Sequence, residues 1–355
     1  MHHGTPSAGT PQRGTVVGAR VGALWRPTMP EIEVIAEQWP EQIAFVPSTP
    51  AGDPAPATEA RADLDVLVGL PFHLTGELLD EMPNVRLIHI LGHGVDPLFA
   101  PELLGRIRER GITVARTGCA STAAAEYAIM AMVTLARRIT PMHYDVLANG
   151  GWSLERKVRR MEGGLGGELA GKRLLIVGYG GIGRELAPRA KAFGMEVTVL
   201  RRHPASERSG PSVDRFAGMG DLDRELSRTD HLVLAVPLTE ETNGVIDAAR
   251  VSLLRPATCV VNLARGEVVD EAALLRALEA GWIGGLALDV WRHEVDPTVP
   301  LPGSEWLARN LLATPHISGL TVEARLRSLE TIGESLRRFL RGEKLAHVVD
   351  LELGY

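Results

Sequence analysis

Residues 174–183 read Leu174-Leu175-Ile176-Val177-Gly178-Tyr179-Gly180-Gly181-Ile182-Gly183. An apolar run of strand length leads straight into glycines spaced Gly-x-Gly-x-x-Gly, and a helical stretch, 182–193, follows. Alone, the three glycines would mark only a turn. With a strand before and a helix after, they form a dinucleotide-binding turn. Gly178 makes the tight bend, Gly180 lets the backbone approach a pyrophosphate, and Gly183 lets helix and strand pack closely. Gly181 and Ile182 open the helix, whose first N–H groups and positive dipole end suit phosphates.

The same alternation continues outward. Downstream, strand-like runs at 197–200, 232–236, 259–262, 286–289 and 311–314 are interleaved with helical stretches at 247–254 and 271–280. Upstream, runs at 21–25, 43–46, 64–70, 85–91 and 112–115 are apolar on both faces, as in a buried parallel sheet. Residues 123–139 form a long Ala-rich helix ending in Arg137 and Arg138, cations where the helix dipole favours them. A polar, Gly-rich arm occupies 149–167, and 323–340 is again helical. The fold class is α/β with two doubly wound parallel sheets.

At 355 residues the chain is long enough for two domains. Its charged fraction of 23% is that of an ordinary globular protein, and a net charge of −6 gives no basic footprint for nucleic acid. Cys119 and Cys259 are too few and too far apart for a disulfide framework or a metal cluster, and no metal is expected; both read as buried, reduced thiols. Residues 1–14 read as a disordered tail without the apolar core of a signal peptide. No apolar stretch is long enough to span a membrane, and the cytoplasm is the simplest compartment.

The strand after the glycine turn ends Val199-Leu200-Arg201-Arg202-His203. A fold that prefers NAD places a carboxylate at this strand end, on the ribose 2′-hydroxyl. Here Arg201 stands there with Arg202 beside it, and guanidinium forks suit the 2′-phosphate of NADP. The cofactor is therefore NADP or NAD, with NADP favoured. The bland alternative is a pair of solvated surface charges.

Three stretches carry the chemistry: Val261-Asn262-Leu263-Ala264-Arg265-Gly266, Ala287-Leu288-Asp289-Val290-Trp291-Arg292-His293-Glu294 and Thr314-Pro315-His316-Ile317-Ser318. Arg265, Asp289 and His316 lie at or just past strand C-termini, the edge where an open α/β sheet binds ligands. Asp289 and Pro237, on that edge, are grouped with the cofactor contacts. Reduction of a 2-oxoacid needs a cation for its carboxylate and carbonyl, a proton donor for the forming alkoxide, and a carboxylate that orients the donor and favours its charged form. Arg265, His316 and Glu294 supply one of each.

With these motifs in hand, the chain resembles the D-isomer-specific 2-hydroxyacid dehydrogenase family from about residue 20 to about 340. The turn at 178–183, Pro237-Leu238-Thr239, VNLARGEVVD (261–270), GLALDVW (285–291) and TPHISG (314–319) carry the resemblance. It implies that Arg265 binds substrate, that His316 is the acid/base and that Glu294 is its partner. It also implies a Rossmann nucleotide-binding domain, 118–319, inserted into a flavodoxin-like substrate domain built from 15–117 and 320–355. The family often has Glu-Pro where this chain reads Glu294-Val295-Asp296-Pro297, which leaves Asp296 as the alternative partner.

In Leu91-Gly92-His93-Gly94-Val95-Asp96 the resemblance implies a loop that holds the substrate carboxylate through backbone N–H groups, with His93 and Gly94 the candidate contacts. His93 either faces the pocket or covers the turn. Leu70-Pro71-Phe72-His73 is a second candidate wall. Ala120 and Ala235 depart from the family, which often has Asn and His there. The arm around Asn149-Gly150-Gly151-Trp152 is similar to that of glyoxylate/hydroxypyruvate reductases and implies a homodimer, with Trp152 an interface anchor; Glu155 replaces an aromatic of that branch. The expected reaction is reversible reduction of a small 2-oxoacid to the D-2-hydroxyacid. The competing readings are a phosphite or phosphorylated-hydroxyacid enzyme, and a nucleotide-sensing corepressor-like protein.

Overall fold

The computed structural model describes residues 18–49, 54–148, 165–203, 211–294, 303, 306 and 309–354. The expected tail at 1–14, the anchor Trp152, Glu155 and the alternative partner Asp296 lie outside them. The described residues fall into two compact units, one within Met1–Cys119 and Val322–Tyr355, the other within Ala120–Thr321. In sequence, the second is inserted into the first.

The first unit holds β1 (Ala19–Leu24), β2 (Ile43–Val46), β3 (Val66–Gly69), β4 (Leu87–Ile90) and β5 (Thr113–Arg116). All pair in parallel, in the order β2-β1-β3-β4-β5. This is the flavodoxin-like order. Every residue of β3 and β4 is buried, which is why their sequences are continuous apolar runs. β2 departs from the expectation of burial on both faces: it is the edge strand and none of its residues is fully buried. Helices α1 (Met29–Gln38), α2 (Thr58–Arg61), α3 (Gly76–Asp80) and α4 (Pro101–Glu109) connect the strands. The C-terminal helix Val322–Leu340 returns to pack on α1, burying Leu329, Ile332 and Leu336 against Val21, Val66 and Leu87. Trp39, just after α1, donates its indole N–H to the Leu329 carbonyl at 3.0 Å.

The inserted unit holds β6 (Arg173–Val177), β7 (Glu196–Leu200), β8 (Arg215–Ala217), β9 (His231–Leu234), β10 (Cys259–Asn262), β11 (Gly285–Leu288) and β12 (Leu311–Ala313). They form one parallel sheet in the order β12-β11-β10-β9-β6-β7-β8. The chain order reverses between β6 and β9, the switch point at which such sheets bind ligands. Among its described residues the helices are α5 (Ser121–Ala136), α6 (Ile139–Ala148), α7 (Gly181–Ala192), α8 (Leu222–Leu226), α9 (Ala248–Leu253) and α10 (Glu271–Glu279).

Two expectations are corrected here. The helix expected over 123–139 stops at Ala136: Arg138 takes a left-handed φ of 54° and α6 starts anew. The Ala136 carbonyl at this helix end accepts from the Gly167 N–H at 2.8 Å. β8, Arg-Phe-Ala, was too short and too polar to register as a strand, and it exists because it pairs with β7. Of the cysteines, Cys259 is buried, with its thiol pushed up to about 12 by burial. Cys119 is only half-buried and its sulfur lies 3.3 Å from the Thr331 hydroxyl.

Each unit buries a histidine. His89 on β4 sits 3.0 Å from the Ser335 hydroxyl, and burial pulls it down to about 4. His231 on β9 is pulled down to about 4 for the same reason. Both stay neutral in the fold, whereas in the unfolded chain they protonate near ~6.5. Their neutral burial therefore costs nothing above that pH, and stability falls as pH drops from about 6.5 towards 4, by up to ~3 kcal/mol for each. The expected outcome is that the unfolding temperature of the wild type drops on acidification over that window and that His89→Gln shows a shallower drop. Parallel curves for the two proteins would remove His89 as a source of acid sensitivity.

Candidate active site

The turn after β6 meets the turn after β9 at the switch point. Gly178 has φ +105°, and a Cβ there would collide with the Ala235 carbonyl. A Cβ on Gly183 would collide with the Gly178 carbonyl. A Cβ on Gly180 would meet nothing within 4 Å, so this backbone faces open space. Gly180 is also the N-cap of α7 and, as a glycine, carries no side chain to cap that terminus. An open backbone face at an uncapped helix N-terminus, with Gly181, Ile182 and Gly183 forming the first turn, fits a dinucleotide's phosphates. Beyond β9, the Pro237 carbonyl accepts from the Thr242 hydroxyl at 2.6 Å, which fixes a tight turn on the same edge.

The two arginines after β7 have different surroundings. Arg201 continues the β7–β8 pairing through its N–H to Ala217, 3.0 Å, and its guanidinium lies 5.9 Å from the Tyr179 ring centre and 5.8 Å from that of Phe216. Arg202 forms an ion pair with Glu241 at 2.9 Å.

Arg265 follows β10 in a turn braced by the fully buried Asn262. The Asn262 amide donates to the Arg265 carbonyl and accepts from the Ala264 N–H, each at 3.0 Å. Gly266 packs so tightly on the Trp291–Arg292 backbone that a Cβ would collide with it. The loops after β10 and β11 are thus interlocked.

Glu294 lies in the loop after β11. One of its oxygens accepts from the Trp291 N–H at 2.9 Å and the other lies 2.8 Å from His316 Nδ1. A carboxylate only accepts, so Nδ1 carries the proton. The His316 side chain is 40% exposed and so remains reachable by a solute. His316 itself has φ +55°, a conformation that costs a non-glycine residue on the order of 1 kcal/mol and needs support.

That support comes from Asp289. Asp289 is fully buried and its carboxylate accepts from the Thr314 hydroxyl at 2.7 Å and from the Ile317 and Ser318 N–H groups at 2.8 Å each. Its carbonyl accepts from the His316 N–H at 2.7 Å. Asp289 therefore clamps the 314–318 loop. Two further members were missed from sequence. Tyr127 on α5 places its hydroxyl 2.6 Å from that of Thr314, and Trp291 donates its indole N–H to the Thr314 carbonyl at 3.0 Å. Thr314 spends its one proton on Asp289, so Tyr127 is the donor to Thr314. No motif pointed to Tyr127, because the Ala-rich helix carries no sign of what faces it.

In the other unit, the loop after β4 has Gly92 at φ +155°, and the His93 carbonyl accepts from Arg116 at 3.4 Å. The His93 ring lies beside Gly118. Gly94 sits in the same loop, and Pro71–His73 forms a single 3-10 turn with Phe72 exposed.

Residues 129–318 match the family model described as "D-isomer specific 2-hydroxyacid dehydrogenase, NAD binding domain". The chain belongs to this family. It is 34% identical over 298 residues to the glyoxylate reductase of Pyrococcus furiosus, covering 83% of this chain and 85% of that one. It is also 34% identical over 287 residues to the mitochondrial formate dehydrogenase of Solanum tuberosum, covering 79% and 71%. Among solved structures, the TT0316 protein from Thermus thermophilus superposes with a TM-score of 0.74 at 27% identity, covering 93% of this chain and 100% of that one. This dehydrogenase is an oxidoreductase with an NAD-binding domain.

The clamp has a measurable consequence. Thr314→Val keeps the side-chain shape but leaves the buried Asp289 short of one donor and Tyr127 short of its acceptor. The expected cost is about 2 kcal/mol of stability, read from the urea midpoint. An unchanged midpoint would show that the Tyr127–Thr314–Asp289 chain contributes nothing to the fold of the dehydrogenase.

Proposed function

We propose that this dehydrogenase reduces a small 2-oxoacid, of the glyoxylate or hydroxypyruvate kind, to the D-2-hydroxyacid, favouring NADPH over NADH. The observation that carries the reading is the His316–Glu294 pair at 2.8 Å, on the strand-end edge that also presents Arg265 and the glycine turn. The bound nicotinamide cofactor supplies the hydride. Gly178, Gly180, Gly181, Ile182 and Gly183 hold its phosphates, Pro237 flanks them, and Arg201 receives the ribose 2′-phosphate. Arg265 holds the substrate carboxylate and polarises the carbonyl. His316 delivers the proton to the carbonyl oxygen, with Glu294 fixing its ring. Asn262 and Asp289 are positioning residues for Arg265 and His316. His93 and Gly94 are the proposed contacts on the substrate-domain side.

Kinship with a formate dehydrogenase raises the question of formate. Oxidising formate to carbon dioxide moves a hydride and no hydroxyl proton. A histidine–carboxylate pair has no task in that reaction, whereas a carbonyl reduction requires a proton at oxygen. The pair therefore favours the 2-oxoacid, as does kinship with glyoxylate reductases. The homodimer implied by the arm remains part of the proposal, and sedimentation tests it.

NADPH oxidation measured across a panel of glyoxylate, hydroxypyruvate, larger 2-oxoacids and 3-phosphohydroxypyruvate, with formate and phosphite oxidation run alongside, tests the reading. Turnover confined to formate, phosphite or the phosphorylated acid would overturn it. Arg265→Ala is expected to lower kcat/KM for the preferred 2-oxoacid by about two orders of magnitude, the equivalent of ~3 kcal/mol for a lost charge-assisted pair, with cofactor affinity little changed. Glu294→Gln keeps the shape of the side chain but replaces the charge-assisted contact that fixes the His316 ring, so kcat for the preferred 2-oxoacid should fall with KM little changed. An unchanged kcat would break the proposed dyad.

A further inference from the structure

The His316 loop issues from a short strand. β12 has three residues and lies at the sheet edge, paired with β11 on one side. A ladder of that length fixes little by itself. Helix α5 supplies further support. Its buried Ala124, Ala128 and Ala131 let it lie close to β10, β11 and β12. It holds β12 at both ends. At the start of the strand, the buried Asn310 amide donates to the Leu135 carbonyl at 2.9 Å and to the Gly284 carbonyl at 2.8 Å. At the far end, the Tyr127 hydroxyl meets that of Thr314 at 2.6 Å. The two ties are matched in length. Tyr127 and Leu135 are eight positions apart on α5, roughly 12 Å along a helix, and Asn310 and Thr314 are four apart, roughly 13 Å along a strand.

The Tyr127 tie ends on the group that shapes the His316 turn. Burial raises the Tyr127 phenol above its usual range, so it keeps its proton and donates. Thr314 accepts that bond and gives its own proton to Asp289 Oδ1, and a hydroxyl that accepts one hydrogen bond is polarised towards donating the next. The same Oδ1 accepts from the Ile317 N–H at 2.8 Å. The residues two before and one after His316 are therefore pinned to a single oxygen atom, and between them His316 holds its φ of +55°. A Thr314 side chain turned to another rotamer would release one side of this turn.

Resting on the assignment of His316 as the proton donor, we propose that Tyr127 is a positioning residue for it: through its hydroxyl and Thr314, α5 sets the angle at which the His316 ring is presented. The effect is selective. Arg265 and the glycine turn follow other strands, β10 and β6, so loss of the Tyr127 hydroxyl should slow turnover and leave the binding of substrate and cofactor in place.

Steady-state reduction of the preferred 2-oxoacid by the full chain, at a temperature well below the unfolding midpoint of every variant, is compared for the wild type, Tyr127→Phe, Thr314→Val, the double variant and His316→Gln. Tyr127→Phe removes one oxygen atom and is expected to lower kcat about fivefold, the worth of one hydrogen bond, with KM and cofactor affinity unchanged. Added to Thr314→Val, it should bring no further fall, because the route to Asp289 is already cut. Unchanged kcat in Tyr127→Phe, where His316→Gln has lost turnover, would overturn the role of Tyr127 and leave the His316 reading intact. A fall in kcat accompanied by weaker binding of both substrate and cofactor would make Tyr127 a general support of the fold and overturn the positioning role as well. Losses that multiply in the double variant would overturn the route through Thr314. Wild-type turnover in His316→Gln, or no 2-oxoacid turnover in the wild type, would remove His316 as the donor and the positioning role with it.

Discussion

A fully buried carboxylate is tolerated only when its oxygens are hydrogen-bonded. In this protein Asp289 meets that condition by accepting from Thr314, Ile317 and Ser318, and the loop carrying His316 is held in place as a result. The rest of the proposed site depends on this arrangement. His316 occupies a left-handed backbone conformation that the flanking amides enforce, and its ring is thereby aimed at Glu294. Glu294 is in turn fixed through the Trp291 N–H, two residues past Asp289. One buried charge thus organises the ends of both β11 and β12.

The same logic extends to the neighbouring strand. Asn262, fully buried at the end of β10, satisfies its amide on the turn that presents Arg265. Gly266 lets that turn sit directly on the backbone at 291–292, so the Arg265 and Glu294 loops cannot shift independently. Three parallel strands end together, and buried polar groups at their ends convert a flat sheet edge into a rigid presentation of Arg265, Glu294 and His316. At the switch point, glycines do the corresponding work for the nucleotide by letting the β6 and β9 turns touch.

Much of this was legible because parallel strands are buried on both faces and therefore read as short apolar runs between helices. The run at 259–262, buried throughout, was located to the residue. The misreadings share a cause. The helix from Ser121 stops at Ala136, where Arg138 turns left-handed and the Ala136 carbonyl meets the Gly167 N–H from a distant part of the chain, and β8 is a strand only because β7 lies beside it. Tyr127 gave no signal at all.

By itself, the sequence determined the two parallel α/β units, the glycine turn for a dinucleotide and the three residue types needed for carbonyl reduction. Those features are local: they follow from the burial pattern of a strand, from the spacing of glycines, and from chemistry carried by a side chain wherever it sits. Only the tertiary structure decided that Asp289 faces inward as a clamp, that Glu294 reaches His316, and that Tyr127 completes the hydrogen-bond chain. Each of these is a meeting of residues that the chain order does not place together, and hydrogen bonds and ring contacts form only between groups that the folded sheet brings within a few ångströms.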